Sequence, residues 1–289
     1  MFMSKRTQGI LLALLASFLF GVEPSIRTYA LQRGVPAESA MTVTSLTTFI
    51  LYAAVCLMRR ERLRLPLRQA VGLAATGMIG LYGTTLLLSL AYFYIPVGCA
   101  TVIHFLYPSL VSAAAALLFH RRLSPSRILA MICSVAGLFC IVGGGLGGAP
   151  LGVLLALGSS LTYTFYLVIL EKAMGSGMPL SVKMFYLMLG AMLVSVAPGL
   201  RSGWSGPGLS EIAALLLCGG MYAAATFAFA AGVERIGAGT ASFLSIFEPL
   251  TSLAVSTLWY RSPLTAMTTA GCGLSLLAVF LSVRERRPA

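Results

Sequence analysis

The sequence predicts an all-α integral membrane fold: ten transmembrane helices arranged as two inverted five-helix repeats. Three observations carry this. The 289 residues are 58% hydrophobic and only 10% charged, with a mean hydropathy of +0.92. That is more apolar surface than one soluble core can enclose. The apolar residues fall in ten runs, each near the ~20 residues that cross a hydrocarbon core. The second half also repeats the first. Shifting Tyr94 to Ser124 by 141 residues lays Ile95, Gly98, Ala100, Pro108, Ala113, Leu117 and Leu123 on Ile236, Gly239, Ala241, Pro249, Ala254, Leu258 and Leu264.

In chain order the expected spans are Gly9 to Leu31, Ala40 to Leu57, Ala70 to Tyr92, Val97 to Phe119 and Ile128 to Val142. A Gly-rich linker, Gly143 to Gly148, follows. The second set is Leu151 to Leu170, Met184 to Leu200, Ile212 to Val233, Ala238 to Tyr260 and Met267 to Val283. Lys5-Arg6 ahead of the first run resembles a signal peptide, but the run passes Phe20 with no clear small-residue cleavage site, so an uncleaved first span is expected. A shift of 143 lays Gly9, Leu11, Ala13, Ser17 and Ile26 on Gly152, Leu154, Ala156, Ser160 and Ile169, which starts the second repeat with the sixth span. The expected units are residues 1–147 and 148–289. An odd number of spans per unit makes the second enter from the opposite side, the inverted-repeat arrangement of secondary transporters.

With the N-terminus inside, sixteen of the twenty basic residues fall on one side, among them the Arg59 to Arg68 and Arg121 to Arg127 clusters and the C-terminal arginines. Only Arg27, Arg33, Arg201 and Arg261 fall on the other. The positive-inside rule then places both termini in the cytoplasm, and it explains the net charge of +12 without nucleic acid. The cysteines, Cys56, Cys99, Cys133, Cys140, Cys218 and Cys272, lie in apolar runs with no CxxC pair. They read as packing residues, not as disulfides or a zinc site.

All eight acidic residues are glutamates, and only Glu23 and Glu248 fall inside spans. A carboxylate at that depth costs about 3 kcal/mol unless it finds a partner, water or a proton. The repeat pairs Glu23 with Tyr166 and Tyr107 with Glu248, so the two pairs are candidates to frame one cavity. Arg27 lies one turn beyond Glu23. Turned inward, it would give the opposite charges that suit a zwitterion; turned outward, it would snorkel to the interface. His104, one turn before Tyr107, reads either as a binding or proton-relay group or as a structural histidine. Tyr82, Tyr163, Tyr166 and Tyr222 would supply aromatic walls for a small-molecule substrate. Pro24, Pro108 and Pro249 free backbone carbonyls and are candidate hinges or packing kinks. No HExxH, nucleotide-binding Gly loop or nucleophile elbow is present, so neither an enzyme nor a cofactor is indicated.

With ten spans in two repeats and a fourth span reading IPVGCATVIHFLYPSLVSAAAALLFHRRLS, the sequence resembles the drug/metabolite transporter superfamily, EamA-type. The resemblance rests on the small-residue stretch Val97 to Thr101, Pro108 and Pro249, the Leu123-Ser124 and Leu264-Thr265 turns, and Phe20-Gly21. The sequence departs where family repeats often end this helix with a glutamate, for Arg121 and Ser262 stand there. The resemblance implies a multi-pass secondary transporter of the bacterial inner membrane. It would export a small amino-acid-like or other zwitterionic metabolite by alternating access, with proton coupling as an option; the sequence leaves the oligomeric state open, a monomer included. Import is the alternative direction, and a polytopic membrane enzyme or scaffold the alternative class. A topology reporter fused after Ala289 is expected to report the cytoplasm, and one inserted at Gly145 the opposite side. Both reporting the same side would sink the five-plus-five arrangement.

Overall fold

The structure, a computed structural model, describes residues 4–91, 93–95, 100, 103–118, 123–142, 150–174, 177–202, 208–260 and 266–284. Pro96 to Cys99, Thr101, the His120-Arg121-Arg122 cluster, the Gly143 to Gly148 linker, Tyr92, Ser262 and Leu264-Thr265 lie outside that set. Among the described residues the chain is helical, with no strand.

The helices are α1 (Lys5–Leu31), α2 (Ala37–Met58), α3 (Leu67–Ala91), α4 (Tyr107–Leu118), α5 (Pro125–Val142), α6 (Pro150–Met174), α7 (Leu180–Arg201), α8 (Leu209–Ile236), α9 (Ala238–Leu244), α10 (Phe247–Tyr260) and α11 (Ala266–Arg284). Six of them, α1, α2, α3, α6, α7 and α8, are long and apolar enough to cross a bilayer. Most run up to about a turn beyond the apolar runs, because helix ends continue into interfacial polar residues.

Two expected spans are broken. Phe105-Leu106 forms a turn ahead of α4, and Ser245-Ile246 separates α9 from α10. The cause lies two or three residues on, in Pro108 and Pro249, whose missing N–H groups cannot bond the carbonyls of His104 and Ser245. The ladder tightens instead. Leu106 N–H donates to the Ile103 carbonyl at 3.2 Å, and Glu248 N–H donates to the Ser245 carbonyl at 2.9 Å. Pro24 behaves differently, for α1 runs through it without a break. A π-helical turn, Gly77–Tyr82, interrupts the α-helical ladder of α3, and at Gly237 a φ of 80° lets α8 turn into α9.

Packing runs between the two halves of the chain. α1 lies along α8 and against α10, α6 lies on α3 and α4, α2 on α7, and α5 on α11. Glycines set the approach, since a missing Cβ lets backbones touch. A Cβ at Gly9 would stand 2.7 Å from Arg235 Cβ and 2.8 Å from Ile236 Cγ2. One at Gly152 would stand 2.7 Å from Tyr94 Cβ and 2.8 Å from Ile95 Cγ2. Gly9 and Gly152 are equivalent by the 143-residue shift, and Ile95 and Ile236 by the 141-residue shift, so the same contact is made twice with the halves exchanged.

The tightest crossing is α3 on α7. A Cβ at Gly77 would fall on the carbonyl of Leu187, and one at Gly190 on the carbonyl of Ala74. Backbone cannot swing aside as a side chain can. Gly77→Ala or Gly190→Ala is therefore expected to cost about 2 kcal/mol or more, read as a lower Tm and less folded protein in detergent. Gly72→Ala, with nothing within 4 Å of the new methyl, is expected to be neutral or mildly stabilising. Equal Tm values for the three variants would contradict the crossing.

Candidate functional site

Glu23 and Arg27 sit one turn apart on α1 and face each other. Arg27 Nη2 donates to Oε1 and Oε2 of Glu23 at 2.6 and 2.7 Å, and Nε donates to Oε1 at 3.0 Å. Glu23 is buried at 3% exposure, while the Arg27 side chain keeps 26%. The carboxylate thus spends both oxygens on the guanidinium, and Arg27 turns toward protein instead of snorkelling away from it.

Arg27 reaches into an open cavity between α1, α2, α3, α7 and α8. Met41, Thr44 and Ser45 line it from α2, Leu81, Tyr82 and Thr85 from α3, Met188 and Ala191 from α7, and Tyr222 from α8. The π-helical turn ends at Tyr82, so the local irregularity of α3 coincides with the cavity wall, as such turns often do at functional sites. Tyr222 is held edge-on by Phe20, with ring centroids 5.6 Å apart.

The remaining aromatic candidates form a second group behind α3. Tyr163 bridges Tyr107 and Tyr166 at centroid distances of 4.6 and 5.6 Å, and His104 lies 5.3 Å from Tyr107 and 5.7 Å from Tyr163. Tyr107 and Tyr166 are each 1% exposed. A Cβ at Gly80 would touch Tyr166 Cβ at 2.5 Å, so the same turn of α3 has the cavity on one side and this group on the other. Ser159 Oγ donates to the Ala156 carbonyl at 2.7 Å and lies 3.1 Å from His104 Nδ1. With that proton directed at the carbonyl, the Ser159 oxygen is the acceptor toward His104 Nδ1.

Glu248 opens α10, partly buried, and its side chain has no hydrogen-bond or ion-pair partner among the described residues. α1 presses on its backbone, for a Cβ at Gly21 would stand 2.7 Å from the Glu248 carbonyl. Glu23 lies within electrostatic range of the Glu248 carboxyl, and so do Tyr107 and Tyr163. Of the residues the sequence nominated, then, Arg27, Tyr82 and Tyr222 line the cavity and Glu23 backs it. His104, Tyr107, Tyr163 and Tyr166 form the adjoining aromatic group, with Glu248 near both.

Sequence reasoning missed the contribution of α2 and α7. The one trace is on α2, in Thr42-Val43-Thr44-Ser45-Leu46-Thr47-Thr48, a run of hydroxyls inside an apolar span that does not by itself say which of them borders a cavity. Most are spent locally: Thr47 bonds the Val43 carbonyl, Thr48 the Thr44 and Gly219 carbonyls, and Thr42 the Glu38 and Ser195 carbonyls. Thr44 is not, and its buried Oγ1 has no hydrogen-bond partner among the described residues.

In a background lacking the six native cysteines, Ser45→Cys and Tyr82→Cys are expected to react readily with a water-soluble maleimide. Tyr107→Cys and Tyr166→Cys should react at least tenfold more slowly. Equal rates at all four positions would dissolve the distinction between cavity wall and buried group.

Comparison with known proteins adds the following. A family described as the EamA-like transporter family matches residues 7–143 and again residues 150–284. An uncharacterized transporter of Archaeoglobus fulgidus is 26% identical over 218 residues, covering 73% of this chain and 77% of that protein. A crystal structure of a protein 21% identical to this chain superposes with a TM-score of 0.81, over 95% of this chain and 96% of that one. It is similar in fold.

Proposed function

The chain belongs to the EamA-like transporter family, and from that premise we propose that this multi-pass membrane transporter is a secondary carrier that exports a small amino-acid-like or other zwitterionic metabolite by alternating access. One observation carries the proposal: the Glu23–Arg27 pair at the wall of a cavity otherwise lined by apolar, hydroxyl and aromatic groups. A buried ion pair is a poor way to stabilise a fold, and in a membrane interior it marks a substrate or ion path. A net-neutral pair of opposite charges matches a ligand that also carries both.

The carrier is read as ten helices in two inverted five-helix units, residues 1–147 and 148–289. The double family match and the contacts made twice, Gly9 on Ile236 and Gly152 on Ile95, support that reading. The broken helices at Pro108 and Pro249 supply the interrupted elements on which such carriers build their central sites. Glu248, at membrane depth and unpartnered among the described residues, is the residue proposed to carry a coupling proton. Both termini are read as cytoplasmic from the distribution of basic residues, and the bacterial inner-membrane location and the export direction are taken from the family resemblance.

Arg27→Gln leaves Glu23 buried without its counter-charge, and is expected to cost roughly 2–3 kcal/mol of stability and to abolish flux of zwitterionic metabolites in inverted vesicles. The double variant Glu23→Gln/Arg27→Leu is expected to recover the Tm but not the flux. Recovery of both would make the pair a structural device and sink the proposed role.

A further inference from the structure

The positive-inside rule accounts for how many basic residues lie on one side of the membrane, but not for how the segment between α2 and α3 presents them. Arg59, Arg60, Arg62, Arg64 and Arg68 fall within ten residues, and all five are exposed. None has an ion-pair or side-chain hydrogen-bond partner among the described residues. Glu61, the one acid in the run, is turned inward, where Ser181 donates to its carboxylate. Exposure alternates along the segment. Arg60, Arg62 and Arg64 face out while Glu61, Leu63 and Leu65 are half-buried, the two-residue period of an extended chain. Leu65 packs on the core, and the Leu63 carbonyl accepts from the Tyr186 hydroxyl at 2.5 Å. The arginine row is thus fixed to α7 from behind and carries no counter-charge in front.

Two placements in this row are locally unfavourable. Arg60 has a φ of 52°, the sole positive φ among the described non-glycine residues. It closes α2, with its own N–H on the Leu57 carbonyl at 3.0 Å and the Glu61 N–H on the Cys56 carbonyl at 2.9 Å. Glycine is preferred at that position of a helix ending, because a Cβ is strained there. Arg68 stands in the first turn of α3, which holds no acidic residue and no side-chain cap, so a cation lies at the positive end of a helix. Topology asks for basic residues in this segment, but not for a strained arginine or for one at a helix N-terminus. Strain that the fold does not need points to a function of the side chain it positions. An anion in front of the row would offset the five like charges and the positive end of α3 together.

Guanidinium forks suit phosphate oxygens, and the surroundings say which phosphate. Leu57, Met58 and Leu67, exposed at 71%, 82% and 79%, flank the row at the ends of two helices of crossing length. The row therefore lies where acyl chains give way to head groups. No aromatic side chain falls between Arg59 and Arg68 to stack on a base. We propose that Arg59, Arg60, Arg62, Arg64 and Arg68 form a binding site for anionic phospholipid. The arginines hold the phosphodiester of the head group, and Leu57, Met58 and Leu67 meet the acyl chains. The site lies apart from the Arg27 cavity, and it stands whatever the carrier transports.

The test uses the full-length protein in neutral detergent, with phosphatidylglycerol, phosphatidylcholine, inorganic phosphate and a short oligouridylate as probes. Phosphatidylglycerol is expected to raise the Tm in proportion to occupancy and to lose most of that effect in about 0.5 M NaCl. The other three are expected to leave the Tm unchanged. Arg62→Gln/Arg64→Gln is expected to weaken phosphatidylglycerol about fivefold per arginine removed. Arg201→Gln, which removes an exposed charge at the other end of α7, is expected to leave its affinity unchanged. Arg60→Gly separates the side chain from the turn it strains. Relief of the positive φ should raise the Tm of the lipid-free protein, while affinity for phosphatidylglycerol falls about fivefold. A lower Tm for lipid-free Arg60→Gly would mean that the side chain serves the fold, and overturns the proposal. Equal protection by phosphatidylcholine overturns it as well, as does unchanged affinity in Arg60→Gly or in the double variant. An equal loss in Arg201→Gln reduces the effect to net charge and likewise overturns it. Protection by inorganic phosphate or by oligouridylate at the concentration that suffices for phosphatidylglycerol overturns the lipid assignment in favour of a soluble phosphate or a nucleic acid.

Discussion

Backbone contact between α3 and α7 at Gly77 and Gly190 is the constraint on which the rest of the site depends. Two helices that meet carbonyl to Cα cannot slide or rotate without collision, so their registers are fixed against each other. Leu81 and Tyr82 lie within about one turn of Gly77, while Met188 and Ala191 flank Gly190. A second glycine crossing faces the first, for a Cβ at Gly219 of α8 would stand 2.5 Å from Thr47 Cβ and 3.1 Å from the Thr44 carbonyl. Thr44 and Ser45 lie beside that crossing, and Tyr222 comes one turn after Gly219. The cavity is the space left between two crossings too tight to drift, and every lining residue but Arg27 and Thr85 lies close to one of them. Arg27 comes from α1, which is held to α8 by its own glycine contact at Gly9.

The sequence reveals the membrane class and the charged wall for a common reason: in hydrocarbon, polarity is expensive enough to be conspicuous. Apolar runs of crossing length stand out, and so do Glu23 and Glu248, because no other glutamate falls inside a span. The proline breaks were legible as to cause, but not as to place, since the helix gives way ahead of the ring at Phe105-Leu106 and Ser245-Ile246. The cavity wall from α2 and α7 was not legible. Threonine, serine, methionine and alanine are unremarkable in an apolar helix, and whether a hydroxyl folds back on its own carbonyl, as Thr48 does, or is buried without that bond, as in Thr44, is decided by the neighbouring helix. The π-helical turn of α3 likewise has no signature in Gly77 to Tyr82, and without it neither the direction of Tyr82 nor the separation of the aromatic group from the cavity could be anticipated.

The far end of the α2–α7 pair has a different character. Lys183 at the start of α7 is 1% exposed, with Met174 Sδ 3.8 Å from its Nζ. Ser181 donates to Glu61, and the Tyr186 hydroxyl donates to the Leu63 carbonyl at 2.5 Å. These contacts tie the segment between α2 and α3 to α7, on the side away from Arg27. The end of the α2–α7 pair opposite Arg27 is thus held by contacts with the α2–α3 segment, not by the glycine crossings that flank the cavity.

On the two-repeat reading, the helices of the two halves are equivalent in packing and unequal in chemistry. α2 and α7 are both 22 residues long, and the 143-residue shift that relates their starts sets Thr44 against Leu187 and Ser45 against Met188. The same shift sets Arg27 against Leu170 and Glu23 against Tyr166. Every polar group that the first half brings to the cavity from α1 and α2 therefore has an apolar or aromatic counterpart in the second. Packing contacts have been kept in both halves because each half needs the other to complete its helix crossings. A recognition charge needs to be present only once, because two guanidinium–carboxylate pairs around one small cavity would double the desolvation cost without adding a second ligand. On that reading, one charged pair in a repeated scaffold is enough for the proposed single site, approached alternately from two sides.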